Sequence, residues 1–209
     1  MRELQDIRSG IRSGNENESK ENGKDQPPLL DKMLKTRTIL IAGEINKELA
    51  ERVIRQLLIL EQEGDDPIRV FIDSPGGDAD AGYGIFDTIR FIQPEIWTVG
   101  VGLVASAGAL ILLAAEKEKR VAFPNSHYLI HQPLSGIRGV ATDIEIHARE
   151  IEKMRTRINE LISRETGKDL AQVEKDTDRD YWMSAQEAVD YGLVHRIVTR
   201  RSDLKAKKK

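Results

Sequence analysis

The chain has no cysteine, which excludes a disulfide scaffold, a thiolate nucleophile and a zinc site built on cysteine. Any catalysis has to run on oxygen, nitrogen or a cofactor. A long hydrophobic run is also missing: the longest apolar stretch lies around Ala107 to Ala115, far short of the roughly 20 residues that cross a bilayer. From Met1 to Pro28 the only apolar side chains are Met1, Leu4, Ile7 and Ile11, so the hydrophobic region of a secretory signal is absent there. The expectation is a soluble, cytoplasmic protein with no membrane partner. No charge of one sign dominates either, with 32 Lys and Arg against 35 Asp and Glu. That balance gives neither the basic footprint of nucleic-acid binding nor a funnel for charged substrates.

A chain of 209 residues is long enough for one domain that buries roughly 70% of its unfolded surface. Its ends differ in texture from its middle. Residues 1–28 are polar and rich in Gly, Asn, Glu and Lys, and read as a disordered arm. Residues 200–209, Arg-Arg-Ser-Asp-Leu-Lys-Ala-Lys-Lys-Lys, read as a frayed basic tail. Between them, residues 29–199 form the expected domain. From Thr36 onward short β-branched runs alternate with segments of helical period, the pattern of an α/β fold with crossover connections.

Strands are predicted at 38–42, 68–72, 96–101, 127–131 and 193–198. Leu49, Val53, Leu57 and Leu60 recur at helical spacing and predict one apolar stripe facing the sheet. Helices are predicted at 78–91 and 106–115, and a long one at 142–166, opened by a capping box of Thr142 with Glu145 and stopped by Gly167. Ile144, Ala148, Ile151, Ile158, Leu161 and Ile162 would line one face of that helix, while charges dominate the others, so it could project from the globule. Ser184 and Glu187 form a second capping box before a short helix closed by Gly192.

Four features could carry chemistry. Ser106 sits between Ala105 and Ala107, after a buried strand and at the start of an apolar helix, where small neighbours and free N–H groups suit a nucleophile. A serine so placed is more often a helix cap. The Ser74-Pro-Gly-Gly77 turn frees backbone amides for close approach to a ligand, although most such tetrapeptides are plain turns. His131 ends a strand before Gln132 and Pro133, the position where α/β sites form. His147, mid-helix among charges, is a weaker base, as are His127 and His195. Thr177-Asp-Arg-Asp-Tyr-Trp182 offers Asp180 as an orienting acid, with Asp176 and Asp178 as alternatives. Glu145, His147 and Glu150 lack the spacing of a helical zinc motif, so no metal is expected.

Taken together, Ile72-Asp-Ser-Pro-Gly-Gly77, Ala105-Ser-Ala-Gly108, Phe123-Pro-Asn-Ser126, Ile130-His-Gln-Pro133, the run from Ala141 to Ile151 and the run from Ser184 to Val194 resemble the Clp protease family of serine peptidases. The resemblance extends from about Thr36 to Val198. It implies a crotonase-like fold of stacked α/β layers with a projecting handle helix, a triad of Ser106, His131 and Asp180, and oxyanion donors at the backbone amides of Gly77 and Ala107. It implies no cofactor. It also implies heptameric rings paired into a tetradecamer, an AAA+ Clp ATPase as partner, and unfolded proteins as substrates. The handle matches 142–166, the loop beside it 136–139, and an inter-ring ion contact Asp178 and Arg179.

This chain departs from the family at the N-terminus, where the polar arm replaces an apolar axial loop and Pro27 to Leu34 only loosely matches the helix after it. The positions of the family's aromatic docking pocket are here Arg69, Phe71, Phe91, Val121 and Val198. Ala107 stands where methionine is common. The competing expectations are a structural subunit completing a mixed ring with a second such chain, and a crotonase-type acyl-CoA enzyme.

Overall fold

The computed structural model describes residues 26–204. The first 25 positions of the expected arm and the last five of the tail lie outside the described residues. A first helix, α1 (Gln26–Lys35), takes in the last three positions assigned to the arm. Proline is compatible with a first helical turn, where its missing N–H would be unpaired anyway, so Pro27 and Pro28 can stand in the first turn of a helix whose start the sequence pattern assigned to the arm.

The alternation then runs β1 (Thr38–Ala42), α2 (Lys47–Gln62), β2 (Ile68–Ser74), α3 (Ala79–Phe91) and β3 (Ile96–Ala105). Helix starts are fixed by side chains: Asn46 accepts from the Leu49 amide and Asp78 from the Ala81 amide. The stripe of Leu49, Val53, Leu57 and Leu60 is buried, as its spacing required. After β3 come α4 (Ala107–Leu112), β4 (Arg120–Ala122), β5 (His127–Ile130), α5 (Ala141–Thr166), α6 (Leu170–Thr177), β6 (Tyr181–Ser184), α7 (Ala185–Tyr191) and β7 (Arg196–Ile197).

β1, β2, β3, β4 and β7 lie side by side and parallel. β3 is longer than expected and changes partner along its length. Thr98 to Gly100 pair with β4, whereas Leu103 to Ala105 pair with β5. Between them Gly102 adopts φ +53°, and a β-carbon there would meet Asp73 Oδ1 at 2.7 Å. The register against β2 slips over the same stretch, a bulge that bends the strand. The sheet thus turns, and its second part, β3–β5–β6, carries the strand ends that matter below.

α5 confirms the projecting helix but not its cap. Val140 is the N-cap, and no side chain caps the first turn; Thr142 and Glu145 both lie inside the helix, too late to form the expected box. Of the predicted stripe, Ile158, Leu161 and Ile162 are buried, whereas Ile144 is exposed. The helix is therefore anchored by its C-terminal part. Gly167 ends it in the left-handed region at φ +78°. The Ser184–Glu187 box and the Gly192 terminator are present. Arg120, fully buried, donates to Ala115 O and Glu165 O and pairs with the Glu165 carboxylate, which ties the end of α5 to β4.

The expected last strand shrinks to Arg196–Ile197. The expected frayed tail is corrected in part: Arg201–Leu204 forms a 3-10 turn, and Leu204 packs with Trp97, Val99, Val121 and Val198. Asp203 explains this order, because its carboxylate accepts from the Thr199 and Arg200 amides.

Candidate active site

Ser106 is the junction between β3 and α4, and it has φ +53° and ψ −121°. A non-glycine residue in this region is strained, and the strand-to-helix nucleophile elbow holds its serine in such a turn. The helix-cap reading fails on geometry, since the Ser106 side chain makes no cap hydrogen bond. Its amide instead donates to Leu129 O at 2.9 Å, locking the turn to β5. Because β3 and β5 are parallel, with Ala105 opposite Leu129, Ser106 and His131 leave adjacent strands at the same end.

The glycine turn packs directly on this junction. Ser74, fully buried, donates from Oγ to Gly43 O at 2.6 Å and accepts from the Gly76 amide at 3.0 Å. Gly77 bridges Ile45: Ile45 N donates to Gly76 O and Asp78 N donates to Ile45 O, both at 2.8 Å. In such a parallel bridge the amide of the central residue faces the other way. Gly77 has φ +144°, and a β-carbon there would sit 2.2 Å from Ile45 O, so only glycine fits. Among the described residues, the amides of Gly77 and Ala107 donate to no protein acceptor, and both residues line the same cleft as Ser106.

β5 pairs antiparallel with β6, Ile130 opposite Tyr181, and that register carries His131 to Asp180. His131 Nδ1 lies 3.1 Å from Asp180 Oδ1. The alternative acids are engaged elsewhere. Asp176 accepts from Tyr191 Oη at 3.0 Å and Gln172 Nε2 at 2.7 Å, and Asp178 accepts from Arg155 at 3.2 Å. Asp180 itself is 62% exposed in the chain, so it is not held against buried surface. Asp178, one half of the expected inter-ring ion contact, pairs within the chain with Arg155.

Ser106 and His131 open into a cleft of about 630 Å³ with an apolar floor of Leu110, Ile130, Met154, Ile158 and Ile162. The Ser106 hydroxyl makes no hydrogen bond among the described residues. Within β5, burial pushes the Tyr128 phenol up to about 12, partly offset by the hydrogen bond its oxygen accepts from Ser126, so it stays protonated. Among the described residues no three His, Asp or Glu side chains gather closely enough to share a metal ion.

His147, which the sequence ranked low, also lines the cleft, as do Ser135 and Glu150. The signal was available in the helical period, since Ile151, Met154 and Ile158 follow His147 at steps of four, three and four and line the same wall. What the sequence did not supply was the path of the loop before α5.

A family model for Clp protease matches residues 21–201. The chain belongs to the Clp protease family. It is 60% identical over 193 residues to the ATP-dependent Clp protease proteolytic subunit 2 of Treponema denticola, covering 91% of this chain and 96% of that protein. With subunit 3 of Rhizobium johnstonii it shares 52% identity over 172 residues, 82% of this chain and 89% of that one. A solved ClpP1 point variant from Listeria monocytogenes matches with a TM-score of 0.79 and 53% identity, covering 85% of this chain and 99% of that one. The chain is thus the proteolytic subunit of a Clp protease, a serine peptidase of α/β fold, and an inert structural role is not favoured. No described helix is long and apolar enough to cross a membrane.

The positions that the resemblance matched to an aromatic docking pocket divide in this Clp protease subunit. Arg69 and Phe71 line a hollow of about 300 Å³ with Phe123, Thr36 and Arg200. Phe71 and Phe123 meet edge-on, 6.2 Å between centroids. Val121 and Val198 are buried in the cluster around Trp97, and Phe91 is 74% exposed.

Proposed function

We propose that Ser106 is the nucleophile, His131 the general base and Asp180 the acid that orients it, with the backbone amides of Gly77 and Ala107 as oxyanion donors. The observation that carries this reading is the His131–Asp180 pair beside the strained Ser106 turn, with His131 and Ser106 opening on one cleft. Asp180 accepts from Nδ1–H, which leaves Nε2 unprotonated to take the Ser106 proton. The alkoxide attacks the scissile carbonyl, the oxyanion develops against the two amides, and the imidazolium protonates the leaving amine. Water then releases the acyl group by the reverse proton path. A serine–histidine bond that closes only as substrate seats is ordinary for such sites.

The natural setting is a tetradecamer of two heptameric rings in the cytoplasm, fed with unfolded chains by an AAA+ Clp ATPase; family membership supports this. The chemistry requires no cofactor. A fluorophosphonate should label Ser106 and abolish cleavage of small peptides. A Ser106→Ala chain that still cleaved them would sink the assignment, and the mass of the purified particle, alone and with candidate ATPases, tests the assembly.

A further inference from the structure

The loop between His131 and Val140 has no regular structure, yet side chains tie it toward α5 at two points. Near its start, the Gln132 amide donates to the backbone carbonyl of Asp178, whose carboxylate holds Arg155 of α5. Three residues on, Ser135 Oγ lies 2.7 Å from His147 Nε2. Between these ties run Pro133 and Leu134, both on the wall of the cleft. Leu134 is 82% exposed. No packing among the described residues holds it, so its position is set by the backbone on either side.

The Ser135–His147 pair does not form a second catalytic set. Ser135 has no left-handed turn, and the carboxylates flanking His147 on α5 are engaged, Glu145 with Arg149 and Glu150 with Lys153. Among the described residues nothing orients the remaining ring nitrogen as Asp180 does for His131. What the bond does is fix a stretch that would otherwise be free along the substrate's path.

We infer that His147 is a positioning residue for peptide binding, acting through Ser135 to hold the Pro133–Leu134 wall against the bound chain. The inference rests on the cleft being the peptide site. It predicts an effect on substrates long enough to reach that wall and none on those that occupy only the neighbourhood of Ser106.

The test compares an internally quenched peptide spanning the cleft with a small activated ester, using the assembled protein. His147→Ala and Ser135→Ala should each raise KM for the peptide about fivefold, the loss of one hydrogen bond. In both, kcat should stay within about twofold and ester turnover should be unchanged. The double variant should be no worse than either single one. His147→Gln, whose amide can give or accept the same bond, should restore KM. Unchanged peptide KM, a fall in kcat, or a glutamine variant that behaves like alanine overturns the inference. Ser106→Ala serves as the control: if it keeps turning over both substrates, the peptidase site itself is wrong, whereas an inert Ser106→Ala beside silent His147 variants removes only this inference.

Discussion

A methyl group on Gly76 would come within 2.5 Å of Ser106 Cβ and 2.8 Å of Ala105 O. The glycine turn and the nucleophile turn are therefore one packed unit, and the fit forbids a side chain on the face they share. Gly76→Ala should push the two turns apart. A displacement of order 1 Å at reacting groups costs roughly 10²-fold in rate, so kcat for a small peptide should fall by about that factor, with fluorophosphonate labelling slowed in parallel. Full activity in this variant would show that the contact has no bearing on the chemistry.

Asp180→Asn should leave the fold intact and lower kcat roughly 10² to 10⁴-fold, because the amide supports the wrong imidazole tautomer. The wide exposure of the carboxylate puts the expected loss toward the smaller end, since water screens its charge. Asp176→Asn and Asp178→Asn, whose partners are Tyr191 and Arg155, should have no such effect on the chemical step. The check is kcat for a small peptide in all three variants. Equal losses would remove Asp180 from its assigned role.

Acid stability should depend on Glu165. Burial raises its carboxyl, but the hydrogen bond and charge of Arg120 and the charge of Arg90 outweigh this and hold it below the ordinary 4.5. The folded value being depressed, the stabilisation is complete above about pH 4.5 and is lost as pH falls through the lower folded value. For Arg120, burial lowers the guanidinium pKa, and pairing with Glu165 restores only part. Glu165→Gln would leave that buried cation uncompensated, at a cost of roughly 3 kcal/mol at pH 7. Urea denaturation of wild type and variant should differ at pH 7 and converge as the pH falls through the depressed folded value of Glu165; parallel curves at all pH values would contradict it.

Leu204 is buried beside Trp97. Leu204→Ala should cost about 2 kcal/mol, the lower end for a truncated leucine, and shift Trp97 emission to the red. An unchanged Tm and spectrum would mean that the 3-10 turn is not held in solution.

The parts of the fold that sequence made legible are those where one physical signal dominates. The stripe on α2, the αL glycines Gly167 and Gly192 and the Ser184–Glu187 box are each local, and each appears as expected. β4 and β6 were not legible because they are short and take their strand character from neighbours across the sheet. Ser106 and His131 could be picked out as strand-end residues, but their convergence depends on the partner change at Gly102. Asp180 could be separated from Asp176 and Asp178 only by resemblance, because the distinction lies in the β5–β6 register. Thr142 misled because a capping pattern was present while Val140 already supplied the helix start.

The half-anchored helix has a further consequence. Ile151, Met154 and His147 belong both to α5 and to the cleft wall, while the turns before them lie open to water. Isolated helical turns fray readily, so anything that seats against that wall also steadies the helix beyond it. Amide exchange from Thr142 to Glu150 should slow when a peptide inhibitor fills the cleft, a sign of occupancy legible along the helix rather than at Ser106.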